Sequence, residues 1–128
     1  MKRGLQIALA ILSLIPLTFA VLGVWLGASY FMPDGGYPAG LDNQLRYLSA
    51  IYLLVSMLLW YTIPNVERHG RLLSFVCLAI FLGGLSRLLS HTTIGPGLET
   101  QFAGMMLELG SPLLLVWQRA VARKANPA

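Results

Sequence analysis

The chain has 128 residues, 56% of them apolar and 11% charged, with nine Lys and Arg against five Asp and Glu for a formal charge of +4. Soluble domains carry ~25% charged residues, and a chain this short exposes much of its surface when folded. An ordinary water-soluble globule, a disordered chain and a disulfide scaffold are therefore excluded, and lipid is the solvent that suits the composition.

Crossing ~30 Å of hydrocarbon as a helix takes roughly 20 mainly apolar residues, and four segments meet that requirement. Helices are implied because the period-2 alternation of a barrel is missing. The first predicted span, residues 5–27, has no charge and repeats Gln6, Ser13, Ala20 and Gly27 every seven residues, the period of left-handed helix packing. Pro16 is expected to bend it. Lys2-Arg3 followed by an apolar run to Thr18-Phe19-Ala20 has the form of a signal peptide. The run continues through Val24-Trp25-Leu26, longer than a usual signal core, and is read as a retained span.

Pro33-Asp34-Gly35-Gly36 closes the first span with turn residues, and Asp42 or Asn43 is expected to cap the second, residues 44–63. That span sets Arg46, Ser49, Tyr52, Ser56 and Trp60 at helical spacing. Pro64-Asn65 ends it. His69-Gly70 precedes the third span, residues 72–90, which holds Cys77 in mid-run and Arg87 near its end. As the single cysteine, Cys77 reads as a packing residue. Gly95-Pro96-Gly97 leads into the fourth span, residues 99–117, with Glu108 at its centre. The chain thus reads as one transmembrane domain over residues 1–128, an all-α integral membrane four-helix bundle.

Apart from Arg46 and Arg87, the cations occupy the N-terminus (Lys2, Arg3), the middle connection (Arg68, Arg71) and the tail (Arg119, Arg123, Lys124). Four crossings bring all of these to one side, which the positive-inside rule makes cytoplasmic, so both termini are expected there. They form no basic groove, and nucleic acid is not an expected partner. The expected partners are membrane lipids, with another membrane protein or a second copy of the chain beside them.

Ionisable groups inside spans are costly and face the bundle interior or a functional path. With ~1.5 Å of rise per residue, Arg46 and Arg87 lie near the outer ends of their spans and Glu108 near the midplane. Helical side chains lean toward the helix N-terminus, so Arg87 leans inward and Glu108 outward. Their axial separation of roughly 9 Å is within reach of two extended side chains, and an Arg87–Glu108 pair is expected. Arg46 leans outward, toward Asp42 one turn back or toward Glu99. Gly84, Arg87 and His91 share a face whose small residue admits a close neighbour. The candidates for a ligand site or a polar seam are Arg46, Arg87, Glu108, His91, Glu99 and Asp42. No metal-ligand cluster, haem pair or nucleophile elbow is present, and Gly95 and Gly97 lack the Lys-Ser/Thr of a phosphate loop. Neither catalytic residues nor a cofactor or metal are assigned.

Asp42-Asn43-Gln44-Leu45-Arg46-Tyr47-Leu48, Gly83-Gly84-Leu85-Ser86-Arg87-Leu88-Leu89-Ser90, Gly95-Pro96-Gly97 and Glu108 together resemble the small bacterial four-span proteins catalogued as a domain of unknown function. The likeness covers nearly the whole chain, and the general shape is also loosely similar to DoxX-like four-span proteins. The resemblance implies a bacterial inner-membrane four-helix protein with Arg46, Arg87 and Glu108 on the family's pattern, and no known activity. Three functions compete. The favoured one is a non-enzymatic accessory or lipid- or ligand-associated bundle, because reaction machinery is missing and the loops are short. The others are a small-molecule or proton-coupled transporter using Glu108, and a membrane enzyme on lipid or quinone using Arg46, Arg87, His91 and Glu99.

Overall fold

The structure, a computed structural model, describes residues 1–126. They form six helices: α1 (Lys2–Leu26), α2 (Ala28–Phe31), α3 (Ala39–Thr62), α4 (Gly70–Thr93), α5 (Glu99–Leu109) and α6 (Pro112–Ala125). Helices α1, α3 and α4 are each long and apolar enough to cross a membrane. Their surfaces suit that medium, since only 28, 22 and 22% of their most apolar stretches are buried within the protein. Helix α1, for instance, exposes Ile7, Ile11, Leu14 and Val21 at helical spacing. Water would tolerate such patches poorly; lipid covers them.

Several boundaries differ from expectation, for local reasons. Helix α3 starts before residue 44 because Pro38, extended at φ −73° and ψ 154°, forms its N-cap. Asp42 therefore lies inside the first turn and does not cap α3. Helix α1 runs through Pro16 without interruption. The largest difference is in the expected span 99–117, which is two helices separated at Gly110–Ser111. Pro112 accounts for the break: it has no N–H for the Glu108 carbonyl, and its ring crowds that same carbonyl. The turn supplies other partners. Gly110 N–H donates to the Met106 carbonyl at 3.0 Å and Ser111 N–H to the Glu108 carbonyl at 3.2 Å. The Ser111 hydroxyl donates to the Cys77 carbonyl at 3.3 Å, which ties the break to α4.

Contacts divide the chain into two compact units. In the unit Gln6–Pro64, the seven-residue stripe of α1 meets the polar row of α3. Ser56 Oγ donates to the Ser13 carbonyl at 3.0 Å, and Trp60 Nε1 donates to Ser13 Oγ at 2.8 Å. Gln6 Nε2 donates to the Ile63 carbonyl at 2.7 Å. Further along the same seam, a Cβ on Gly23 would collide with the Ser49 hydroxyl. Hydrogen bonds between helices in membranes contribute about 0.6 kcal/mol each on average, so this seam is held by packing and several modest bonds together.

The other unit joins Met1–Leu5 to the chain from Asn65 onward. Lys2 Nζ lies 3.1 Å from Glu67 Oε2, and the Glu67 backbone N–H together with Lys2 holds that carboxyl below its usual range. A Cβ on Gly4 would stand 3.1 Å from the Trp117 ring. Gln118 Nε2 donates to the Val66 carbonyl at 3.0 Å, and Leu5, Val66 and Leu73 are fully buried. The segments that carry Lys2, Arg3, Arg68 and Arg119 are thereby joined.

Gly23→Ala is expected to lower the thermal midpoint of the protein in detergent, because its Cβ meets Ser49. Gly104→Ala in α5 meets open space and should raise stability by up to ~1 kcal/mol through helix propensity. Equal effects of the two substitutions would show that the Gly23–Ser49 contact is not part of the packed seam.

Candidate functional site

The two arginines expected at similar depth have different surroundings. Arg46 Nε donates to Asp42 Oδ2 at 2.8 Å. Its Nη1 donates to the carbonyls of Val24 at 2.7 Å and Trp25 at 3.1 Å. Asp42 Oδ1 accepts the Ala28 N–H at 2.8 Å. These backbone groups are the orphans left where α1 ends and α2 begins. Gly27 makes the reversal between them at φ +62°, and a Cβ there would collide with the Asp42 carboxylate. Asp42 and Arg46 thus clamp the chain between α1 and α2. Of the two partners expected for Arg46, Asp42 is the one found; Glu99 begins α5, in the other unit.

Arg87 and Glu108 meet as their leanings predict. Arg87 Nε lies 3.1 Å from Glu108 Oε2, with the side chains 34% and 11% exposed. Gly84, nearly one turn before Arg87, makes the approach of α5 possible: a Cβ there would stand 3.0 Å from Glu108 Cβ. Gly83 beside it faces open space. The helix break begins directly after this contact, at Gly110.

Toward the connection between α4 and α5, a cavity of about 630 Å³ opens beside the pair. Arg87, Ser90 and His91 line it from α4, Glu99, Phe102 and Met105 from α5, and residues 95–97 close one side. The His91 and Phe102 rings are 5.9 Å apart, and Met105 is buried. Gly95, at φ +135°, takes a conformation that side-chain-bearing residues rarely adopt. Gln101, which also lines the cavity, accepts the Leu98 N–H at 3.1 Å through Oε1 and so caps α5. The α4 side is therefore polar, whereas the α5 side combines Glu99 and Gln101 with the apolar Phe102 and Met105.

Three of the expected candidates, Arg87, His91 and Glu99, share this cavity, with Glu108 holding Arg87 from behind. Ser90, Gln101, Phe102 and Met105 were not among the expected site residues. Their signal is helical spacing: Ser90 follows Arg87 by three residues, and Phe102 follows Glu99 by three. Among the described residues, no group of three or more His, Cys, Asp or Glu side chains is placed to hold a metal ion.

Removing one partner of a buried ion pair costs ~3–5 kcal/mol. The partial exposure of Arg87 reduces the expected loss to about 1–3 kcal/mol for either Arg87→Gln or Glu108→Gln. The double substitution should cost clearly less than the sum of the two, read as denaturation midpoints in mixed micelles. Strict additivity would contradict the pair.

No curated protein and no solved structure matches the chain. A family model does match it, over residues 4–118, in agreement with the first of the two sequence resemblances and not with the looser likeness in shape. The chain belongs to the family described as a domain of unknown function, DUF4345.

Proposed function

We propose that the protein is a non-enzymatic, multi-pass protein of the bacterial inner membrane that holds a membrane lipid in the cavity between α4 and α5. The observation that carries this reading is the mixed lining of the cavity, in which Arg87 and His91 oppose Phe102 and Met105. A cavity lined by both charged and apolar side chains suits an amphiphile, and about 630 Å³ falls in the ~300–1,000 Å³ range of ligand sites. Short connections leave little soluble surface for other chemistry, which favours an accessory role beside another membrane protein or a second copy of the chain.

The proposed topology has four crossings, by α1, α3, α4 and the α5–α6 pair, with both termini in the cytoplasm. The union of Met1–Leu5, the residue 65–69 connection and α6 in one unit supports it, because those segments carry most of the cations. The positive-inside rule then gives the orientation.

A proton-coupled or small-molecule transporter using Glu108 is the second reading. It is supported by the interruption at Gly110–Ser111, immediately beyond a buried carboxylate. Interrupted helices near the midplane form ion and substrate sites in several transporter folds. The enzyme reading has the least support, since Arg46 is engaged by backbone carbonyls.

Native mass spectrometry of the protein released from mild detergent tests the first reading. The unaltered chain is expected to retain phospholipid, and Ser90→Trp, which fills the cavity, to retain at least roughly fivefold less at unchanged helix content. Equal retention by the two proteins would refute lipid occupancy of this cavity. Substrate-driven proton flux in proteoliposomes, abolished by Glu108→Gln, would support the transporter instead.

A further inference from the structure

We infer that the cavity takes a zwitterionic phospholipid headgroup bearing a primary ammonium, with the phosphate against Arg87 and the ammonium against Glu99. This rests on the reading of the cavity as a lipid site, and it specifies the chemistry that the site selects.

The charge inventory of the cavity argues for it. The guanidinium of Arg87 is already offset by Glu108, 3.1 Å away. Glu99 lines the cavity but makes no ion pair with any described residue. Beside that offset pair, Glu99 adds an uncompensated carboxylate to the site. A purely anionic headgroup would gain a contact with Arg87 and meet repulsion from Glu99. A headgroup that carries both signs satisfies both residues, and its net charge of zero adds none to the site.

The order of the groups agrees. Arg87 lies six residues before the end of α4 at Thr93, or about 9 Å below it along the axis. Glu99 opens α5 at the connection itself. The carboxylate thus stands next to the α4–α5 connection and the guanidinium farther from it along the helix axis. A phospholipid presents its groups in the same sequence: ammonium outermost, phosphate next, acyl chains deepest. Ser90 and His91, one turn outward of Arg87, supply further polar groups at the phosphate level, and exposed Phe102 and Met106 on α5 offer apolar surface for the chains. A primary ammonium donates charge-assisted hydrogen bonds to a carboxylate, whereas a quaternary one is typically held by several aromatic faces. The cavity has a carboxylate and one phenyl ring.

The test uses the full chain, delipidated in detergent and supplied with equal amounts of phosphatidylethanolamine and phosphatidylglycerol, with bound lipid read by native mass spectrometry. Phosphatidylethanolamine should be retained about three- to fivefold over phosphatidylglycerol, the effect of one partly screened ion pair. Glu99 is exposed, so its substitution leaves the fold intact: Glu99→Gln should bring the ratio to about one, and Glu99→Lys should invert it. A ratio near one in the unaltered chain, or a ratio that Glu99→Gln does not change, would overturn the inference while leaving the cavity a lipid site. Absence of both lipids from the unaltered chain would overturn the underlying reading as well. Glycerophosphoethanolamine added alone should give less than a tenth of the occupancy of the lipid; equal occupancy would overturn the membrane as the source of the headgroup.

Discussion

A buried carboxylate in an apolar segment must find a cation or lose its charge, and the packing of α4 against α5 is organised around that requirement. Glu108 reaches Arg87 because the two side chains lean toward each other from helices of opposite direction. They meet only because Gly84 leaves room for the Glu108 backbone to approach. Fixing this contact holds α4 and α5 at a set spacing toward their connection. The cavity is the space that remains between them before the connection at residues 94–98 closes.

Pro112 extends the same logic. A straight helix through residues 99–125 would carry its whole length along one line from the Glu108 contact. The break at Gly110–Ser111 lets α6 take its own direction, while the Ser111 hydroxyl keeps the junction on α4. From there α6 reaches the residue 65–69 connection through Gln118 and the N-terminal residues through Trp117. A buried charge pair and a helix interruption therefore serve the two halves of one packing problem. The arginine near the start of α3 shows the other use of a cation in this medium: Arg46 satisfies carbonyls that a helix end leaves orphaned. Its chemistry is spent on the backbone, whereas Arg87 keeps a face on the cavity.

Much of this was legible in the chain itself. Hydropathy and length identify α1, α3 and α4 because a membrane-crossing helix has a strong, local signature. The seven-residue stripe of α1 and the Ser49–Ser56–Trp60 row of α3 were visible as periodicities, and they do face one another. The Arg87–Glu108 contact followed from depth and side-chain direction alone. The break in the fourth segment was less accessible, because Pro112 lies in a continuous apolar run where bending and interruption look alike. The start of α3 was displaced because the capping chemistry of Asp42 was read as local, whereas its carboxylate serves the Ala28 N–H across the chain reversal. The cavity was not legible: its lining depends on how closely α4 and α5 approach and on the course of the Gly95-Pro96-Gly97 connection.

In the proposed lipid site, Arg87, held by Glu108, is the cation that meets the headgroup. An experimental structure of the full chain in a phospholipid nanodisc tests it most directly. Elongated density is expected in the cavity, with a headgroup between Arg87, His91 and Glu99 and acyl chains passing Phe102 and Met106, and with the Arg87–Glu108 contact preserved. A cavity collapsed by closure of Phe102 onto α4, or an Arg87 side chain turned away from both Glu108 and the cavity, would contradict it.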